Sequence, residues 1–386
     1  MSVTSTSHLM PTYSPAPVTF VRGEGSYLWD SEGRKYLDFL SGLGVTSLGH
    51  AHPGVASAIC DAAHTLLHTS NLFRTEPAEE AAGHLDGLLG GGGKVFFSNS
   101  GAEANECAFK LARRWAGHGK YVVLSAYGSF HGRTLATLHA TGQPEKHEAF
   151  QPLPEGFRHV AWQDADALEK ALAPEVAAVV LEAVQGEGGV WPAGREYFAA
   201  VRQLCDERGV LFIVDEVQAG LGRTGRWWGF EHYGARPDVV TVAKALGNGM
   251  PVGACWARAE VADAFKPGDH ASTFGGQPLA ASAVRATLAI MEEEDVPARA
   301  AARGKDLSER LSSLPGVTGV RGLGLMLGVE LAGGRAGEVT SRCLAEGLIV
   351  NAVTRTALRL EPSLLVSDGE IDEGAEVLSK VLEGLV

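Results

Sequence analysis

The chain has 386 residues, 45% hydrophobic and 20% charged, proportions of a globular protein with one large core and a lesser one, not of a disordered or fibrous chain. With 46 acidic against 33 basic residues the formal net charge is -13, which argues against nucleic acid as a partner, because binding phosphates needs clustered Lys and Arg. Five cysteines (Cys60, Cys107, Cys205, Cys255 and Cys343) lie far apart with no C-x-x-C pair, so a disulfide framework or a cysteine-bound zinc is not expected.

In chain order, the opening MSVTSTSHLMPTYSPAP has neither a basic start nor an apolar core and does not read as a signal peptide. No run reaches the roughly 20 apolar residues of a membrane helix, so a cytoplasmic protein is expected. Residues 1–45 read as an irregular lead-in with short strands at Tyr27-Leu28-Trp29 and Tyr36-Leu37-Asp38-Phe39, the N-terminal segment of a small domain. From 46 to 280, apolar runs alternate with helical patterns such as 102–116 and 194–208. The runs are Val95–Phe97, Tyr121–Leu124, Val176–Leu181, Val210–Val214, Val239–Val242 and Pro251–Trp256. Such alternation predicts an α/β domain whose parallel strands are covered on both faces. Residues 281–386 predict a long helix, an apolar strand over Gly322–Leu331, then helix, strand and helix: a smaller α+β domain that gathers in the N-terminal segment. No internal repeat is visible.

Ligands of a parallel α/β sheet sit outside the carboxyl ends of its strands, and three such ends carry polar groups. The first is Ser98-Asn99-Ser100-Gly101-Ala102-Glu103, a turn into a helix. It reads either as a phosphate cradle of free N–H groups and the Ser100 hydroxyl, or as plain capping by Ser100 and Glu103. The second is Asp215-Glu216-Val217-Gln218 after Val210–Val214, open to reading as a metal pair, a cap, or a partner for a ring nitrogen beside a bystander. The third is Lys244, directly after Val239–Val242 and among small residues, where burial disfavours the ammonium and frees a nucleophilic amine. Phosphate cradle, carboxylate and amine together suit an aldehyde cofactor held at its phosphate, ring nitrogen and imine carbon.

The sequence resembles the class III, ornithine/acetylornithine-type, pyridoxal-phosphate-dependent aminotransferases from about Tyr13 to the C-terminus. The stretches that carry the resemblance are Arg22–Asp30, Leu48–Pro53, Ser98–Glu103, Phe130-His131-Gly132-Arg133-Thr134, Gln185–Gly189, Asp215–Gln218, Gly222-Arg223-Thr224-Gly225 and Ser272-Thr273-Phe274-Gly275-Gly276. It implies the aspartate-aminotransferase-like (type I) fold and a homodimer with shared active sites. Lys244 is implied as the amine joined to pyridoxal 5'-phosphate and as proton carrier, and Asp215 as the partner of the pyridine nitrogen. Val217 and Phe130 are implied on the ring faces and Gln218 at the ring hydroxyl. Ser100, Gly101 and Ala102 are implied at the phosphate, which Thr273 reaches from the partner subunit. Arg133 is implied at the substrate carboxylate, a Glu187–Arg359 pair as a gate for a second carboxylate, and Ser272 and Tyr13 along the substrate's path.

An apolar Leu43, where the free-ornithine enzymes carry tyrosine, looks like the acetylornithine subgroup, as do His68–Phe73 and Leu138–Gln143. The implied reaction is transamination of N2-acetyl-L-ornithine with 2-oxoglutarate to N-acetyl-L-glutamate 5-semialdehyde and L-glutamate, in arginine biosynthesis. Ornithine, 4-aminobutyrate or carrier-linked aminoadipate semialdehyde are the alternative substrates. An aminomutase or a non-catalytic cofactor-binding protein are the remoter readings. The chain departs from the family's usual residues at Ala183, Ala219 and Gln277, none of which removes a chemical group from the mechanism. Gly220–Gly225 spells G-x-G-x-x-G, but it lies past the strand end and no helical pattern follows it, so a dinucleotide site is set aside. His50-Ala51-His52 lacks a third ligand and reads as a turn, not a metal site.

Overall fold

A computed structural model describes residues 8–385; the first seven residues of the N-terminal segment and Val386 lie outside the described residues. The chain opens with strands β1 (Phe20–Glu24), β2 (Tyr27–Asp30) and β3 (Lys35–Asp38), followed by helices α1 (Pro53–Thr65) and α2 (Glu76–Leu88). Next come β4 (Gly93–Ser98), α3 (Gly101–Ala116), β5 (Val122–Ala126), β6 (Phe157–Val160), β7 (Val176–Glu182), α4 (Arg195–Arg208), β8 (Leu211–Asp215), β9 (Val239–Val242) and β10 (Gly253–Arg258). These strands form one seven-stranded sheet in the order β4-β10-β9-β8-β7-β5-β6. Every residue of β7, β8 and β9 is buried, as expected of strands covered on both faces. Helix α3 buries Ala104, Cys107, Ala108, Leu111 and Ala112, the i, i+3, i+4 spacing of a single apolar stripe.

Two expectations need correction. Strand β10, read from the sequence with the parallel strands, runs antiparallel to both β9 and β4. The connection 243–252 is too short for the crossover that a parallel neighbour requires. The single strand expected over Gly322–Leu331 is half of a hairpin. After α5 (Pro278–Glu293) and α6 (Val296–Ser312), β11 (Val317–Leu323) turns at Gly324 (φ +54) and pairs antiparallel with β12 (Met326–Leu331). Strand β6 carried too little apolar sequence to be anticipated.

The chain closes with α7 (Ala336–Glu346), β13 (Leu348–Ile349), β14 (Asn351–Ala352), β15 (Ala357–Leu360) and α8 (Asp368–Glu383). Strand β13 pairs parallel with β3, through Leu348 opposite Leu37 and Ile349 opposite Asp38, so the N-terminal strands share a sheet with the end of the chain. Strand β15 lies between β12 and β14 and brings Arg359 inward.

Helix α8 crosses the buried Phe39 ring at Gly374, where a Cβ would fall inside contact distance of Cε2 and Cζ. Gly374→Ala should therefore cost about 1–3 kcal/mol through overpacking, read as a lower denaturation midpoint. An unchanged midpoint would mean that the helix shifts freely over the ring.

Candidate active site

The three polar strand ends converge on a cavity of about 480 Å³. Ser100, Gly101, Ala102, Phe130, Arg133, Asp215, Val217, Gln218 and Lys244 all line it, so most of the site residues named from the sequence meet here. At the start of α3 the Ser100 side chain accepts from Glu103 N at 3.2 Å, and Glu103 turns back to accept from Asn99 N at 2.6 Å. Capping therefore uses the Ser100 hydroxyl, while the first-turn N–H groups of Gly101 and Ala102 have no intrahelical carbonyl to meet. Capping and cradle coexist. Gly101 is required by close approach, since a Cβ there would lie 2.8 Å from Val217 Cγ1.

Asp215 ends β8 only 4% exposed, and its carboxylate is held from three sides. Oδ2 accepts from Asn105 Nδ2 and His131 Nδ1, each at 2.8 Å, and Oδ1 accepts from Val217 N at 3.0 Å. Asn105 is fixed in turn: its Oδ1 accepts from Thr241 Oγ1 at 2.8 Å and its Nδ2 also donates to His131 O. With Nδ1 directed at Asp215, the buried Nε2 of His131 has no hydrogen-bond partner. Glu216, the neighbouring carboxylate, turns away and accepts from Gly229 N and Phe230 N at 2.9 Å each, and burial pushes its carboxyl up to about 8. Of the pair, Asp215 lines the cavity and Glu216 clamps the loop at Gly229 and Phe230. Glu182 accepts from Phe130 N at 3.2 Å, and burial with Asp215 beside it pushes its carboxyl well above the ordinary range.

Lys244 follows β9 in a left-handed conformation (φ +44), costly for a side-chain-bearing residue and characteristic of functional turns. Burial pushes its amine below the usual lysine range, against the pull of Glu361, with Arg359, Glu187 and Asp215 acting more weakly. Asn248, also left-handed, ties this turn to the N-terminal segment by accepting from Leu48 N at 2.8 Å.

Arg133 is exposed at the cavity mouth, 5.6 Å from the Phe130 ring centroid, with Lys146 Nζ at 5.3 Å from the same ring. Arg359 donates from Nη1 to Glu187 Oε1 at 2.6 Å and from Nη2 to Asn351 Oδ1 at 3.0 Å. Burial works against ionising Glu187, but the Arg359 guanidinium overcomes it and holds the carboxyl below its usual range. Ser272 and Thr273 do not reach the cavity. They line a second hollow with Asn71 and Phe97, where Ser272 Oγ accepts from Asn99 Nδ2 at 3.3 Å. Tyr13 is 86% exposed and away from both.

Sequence reasoning missed Asn105, Thr241, Glu182, Lys146 and Glu361, and quoted His131 without a role. His131 had a signal in its place between Phe130 and Arg133, whereas the others act only through contacts between elements. The Gly220–Gly225 turn is structural: Gly222 packs on Val296, Gly225 on Ala301, and the enclosed Arg223 donates to Leu325 O and Ser47 Oγ. Among the described residues, no group of three or more His, Cys, Asp or Glu side chains is arranged to hold a metal ion.

A buried amine of lowered basicity, a carboxylate with fixed donors and a helix start, all on one cavity, match the imine carbon, ring nitrogen and phosphate of a pyridoxal-type cofactor. The comparisons agree. Residues 9–382 match the class-III aminotransferase family, and the chain belongs to it. Among curated relatives, it is 48% identical to the acetylornithine aminotransferase of Caldanaerobacter subterraneus subsp. tengcongensis, over 97% of each chain. Among solved structures, it is similar to the ornithine aminotransferase of Toxoplasma gondii with PLP at partial occupancy in its active site. That match has a TM-score of 0.93 at 32% identity and covers 98% of this chain and 92% of the other. The N-acetylornithine aminotransferase of Stenotrophomonas maltophilia K279a gives a TM-score of 0.84 at 36% identity, covering 96% of this chain and 97% of the other.

Beneath the Phe130–Lys146 segment, His159 lies among the rings of Tyr127, His139 and His147, with Nε2 buried and unpartnered. Burial depresses its pKa to about 4, so below about pH 6.5 the unfolded chain takes up a proton that the folded one refuses. Stability is then present above that pH and lost as pH falls toward 4. His159→Phe should flatten the drop in melting temperature between pH 7 and 5 by the equivalent of about 1 kcal/mol, allowing for partial screening. A parallel pH profile would exclude this histidine as the cause.

Proposed function

We propose that the chain is a PLP-dependent transaminase converting N2-acetyl-L-ornithine and 2-oxoglutarate to N-acetyl-L-glutamate 5-semialdehyde and L-glutamate, as in arginine biosynthesis. One observation carries the proposal: the buried Lys244 amine shares a cavity with the anchored Asp215 carboxylate and the α3 start. Bound pyridoxal phosphate supplies an aldehyde for amines and a protonated ring that takes up electrons from the substrate carbon. Every other part is the protein's. Asp215, oriented by His131 and Asn105, holds the proton of the ring nitrogen. Lys244 Nζ moves the proton at the reacting carbon, and desolvation lowers the cost of holding that amine without its extra proton. Of the cavity's lining, the Gly101 and Ala102 N–H groups and the Ser100 hydroxyl would hold the phosphate, Val217 and Phe130 would pack against the ring, and Gln218 would meet its hydroxyl.

Arg133 grips the single carboxylate of the acetylated donor with its guanidinium fork. That donor needs no second cation, so Glu187 remains on Arg359; 2-oxoglutarate brings a second carboxylate and displaces it. The active unit we propose is a homodimer in which Thr273 of the partner subunit completes the phosphate site. Support comes from Thr273 being exposed and outside its own chain's Lys244 cavity. Ser272 and Tyr13 are assigned to the substrate's path. We further propose a large domain at 46–280, a small one from 1–45 and 281–386, and a cytoplasmic location; among the described residues no helix is long and apolar enough to cross a membrane.

Borohydride reduction of the holoenzyme should fix the cofactor to the peptide containing Lys244 and to no other, and Lys244→Ala should retain no covalent label. Label mapped elsewhere would sink the assignment. In single half-reactions followed by loss of cofactor absorbance, acetylornithine should react faster than ornithine, 4-aminobutyrate and lysine, and Glu187→Ala should shift the preference toward glutamate. Fastest reaction with free ornithine would overturn the donor.

A further inference from the structure

Behind Gln218 lies a carboxylate that the proposed mechanism does not use. Glu361 follows β15 and is fully buried, at 0% exposure. Its N–H donates to Phe39 O at 2.7 Å, and both side-chain oxygens accept from Gln218 Nε2 at 2.9 Å. Its Oε2 lies 3.8 Å from Arg359 Nε, an atom with no hydrogen-bond partner of its own. Arg359 is thus hydrogen-bonded at Nη1 to Glu187 and at Nη2 to Asn351, while Nε is faced by the Glu361 charge without a hydrogen bond. The two carboxylates differ in freedom. Glu187 is 30% exposed and held by this one ion pair, whereas Glu361 has no route to solvent and is pinned at both backbone and side chain.

We infer that Glu361 is a specificity-determining residue. It is a fixed counter-charge that stays on Arg359 after Glu187 has moved aside, and it weakens the grip of the site on dicarboxylates relative to monocarboxylates. A dicarboxylate arriving at Arg359 meets a guanidinium already compensated on its Nε side and a like charge close behind it. In a buried setting both effects are little screened. A ligand with one carboxylate, seated at Arg133, feels neither. The consequence is a loose hold on 2-oxoglutarate and glutamate, which lets the second substrate leave the site that the donor must re-enter.

The inference rests on the reading of Arg359 as the seat of the second carboxylate, and the test separates the two. Calorimetric binding of glutarate, a dicarboxylate that cannot react, is compared with that of butyrate, on the holoenzyme and on Glu361→Gln, Glu361→Met and Glu187→Ala. Glu361→Gln keeps shape and can keep an acceptor for Gln218 while removing the charge. It should tighten glutarate on the order of tenfold, lower KM for 2-oxoglutarate in step, and leave butyrate binding unchanged. Glu361→Met should reproduce the selectivity without the hydrogen bond. If Glu187→Ala tightens glutarate and the two Glu361 variants do not, the inference fails while the Arg359 reading stands. If none of the three changes glutarate binding, both fail. Equal shifts for glutarate and butyrate, or failure of both Glu361 variants to fold, would show a structural role only and overturn the inference.

Discussion

A lysine amine and a cluster of carboxylates sit at the carboxyl ends of adjacent strands, out of water, and the surrounding structure is arranged to make that tolerable. Removing an ionised side chain from water costs several kcal/mol even after relaxation, unless donors or counter-charges replace the lost solvent. Asp215 receives three donors, from Asn105, His131 and Val217. Glu182, with a single donor from Phe130, is pushed toward its neutral form instead. Lys244 has burial against it and Glu361 as its strongest opposing charge.

Those partners come from distant parts of the chain, which is why the site needs the whole fold. Asn105 reaches Asp215 from α3, and Thr241 holds Asn105 from β9, so two sheet strands and a helix must be in register before the carboxylate is positioned. Asn248 links the Lys244 turn to Leu48 and Gly49, and Arg223 joins the loop after β8 to Leu325, Pro362 and Ser47. A fully buried arginine is expensive, and burial pushes its pKa down to about 10. Spending it on carbonyl oxygens of separate segments fixes the angle between the strand ends and the β12–β15 sheet that carries Arg359.

The α/β alternation, the three polar strand ends and the lysine were legible in the sequence, because each is a local pattern: an apolar run, then a polar residue where a strand must end. Strand direction was less so. Nothing within the Pro251–Trp256 run distinguishes it from the parallel strands, and only the length of the preceding connection does. The hairpin at Gly324 was hidden because Leu323 to Met326 is apolar throughout, and a buried turn leaves no polar mark. Asn105 and Glu361 were invisible for a related reason. A polar residue inside a helix, or one after a four-residue strand in the smaller domain, carries no local mark of the partner that buries it.

The two arginines that we propose meet substrate carboxylates have opposite surroundings. Arg133 is exposed, close only to the Phe130 ring and Lys146, so any carboxylate entering the cavity finds it available. Arg359 is 1% exposed and already carries Glu187 and Asn351. An open cation selects for the presence of a carboxylate; a compensated one selects only against ligands that cannot displace its partner. On the proposed reading, Arg133 in the cavity and Arg359 buried behind Glu187 would let a single set of catalytic groups serve a donor with one carboxylate and an acceptor with two. On that reading the acceptor's binding energy would be partly consumed in breaking the 2.6 Å Arg359–Glu187 ion pair, which would keep the site open to the donor.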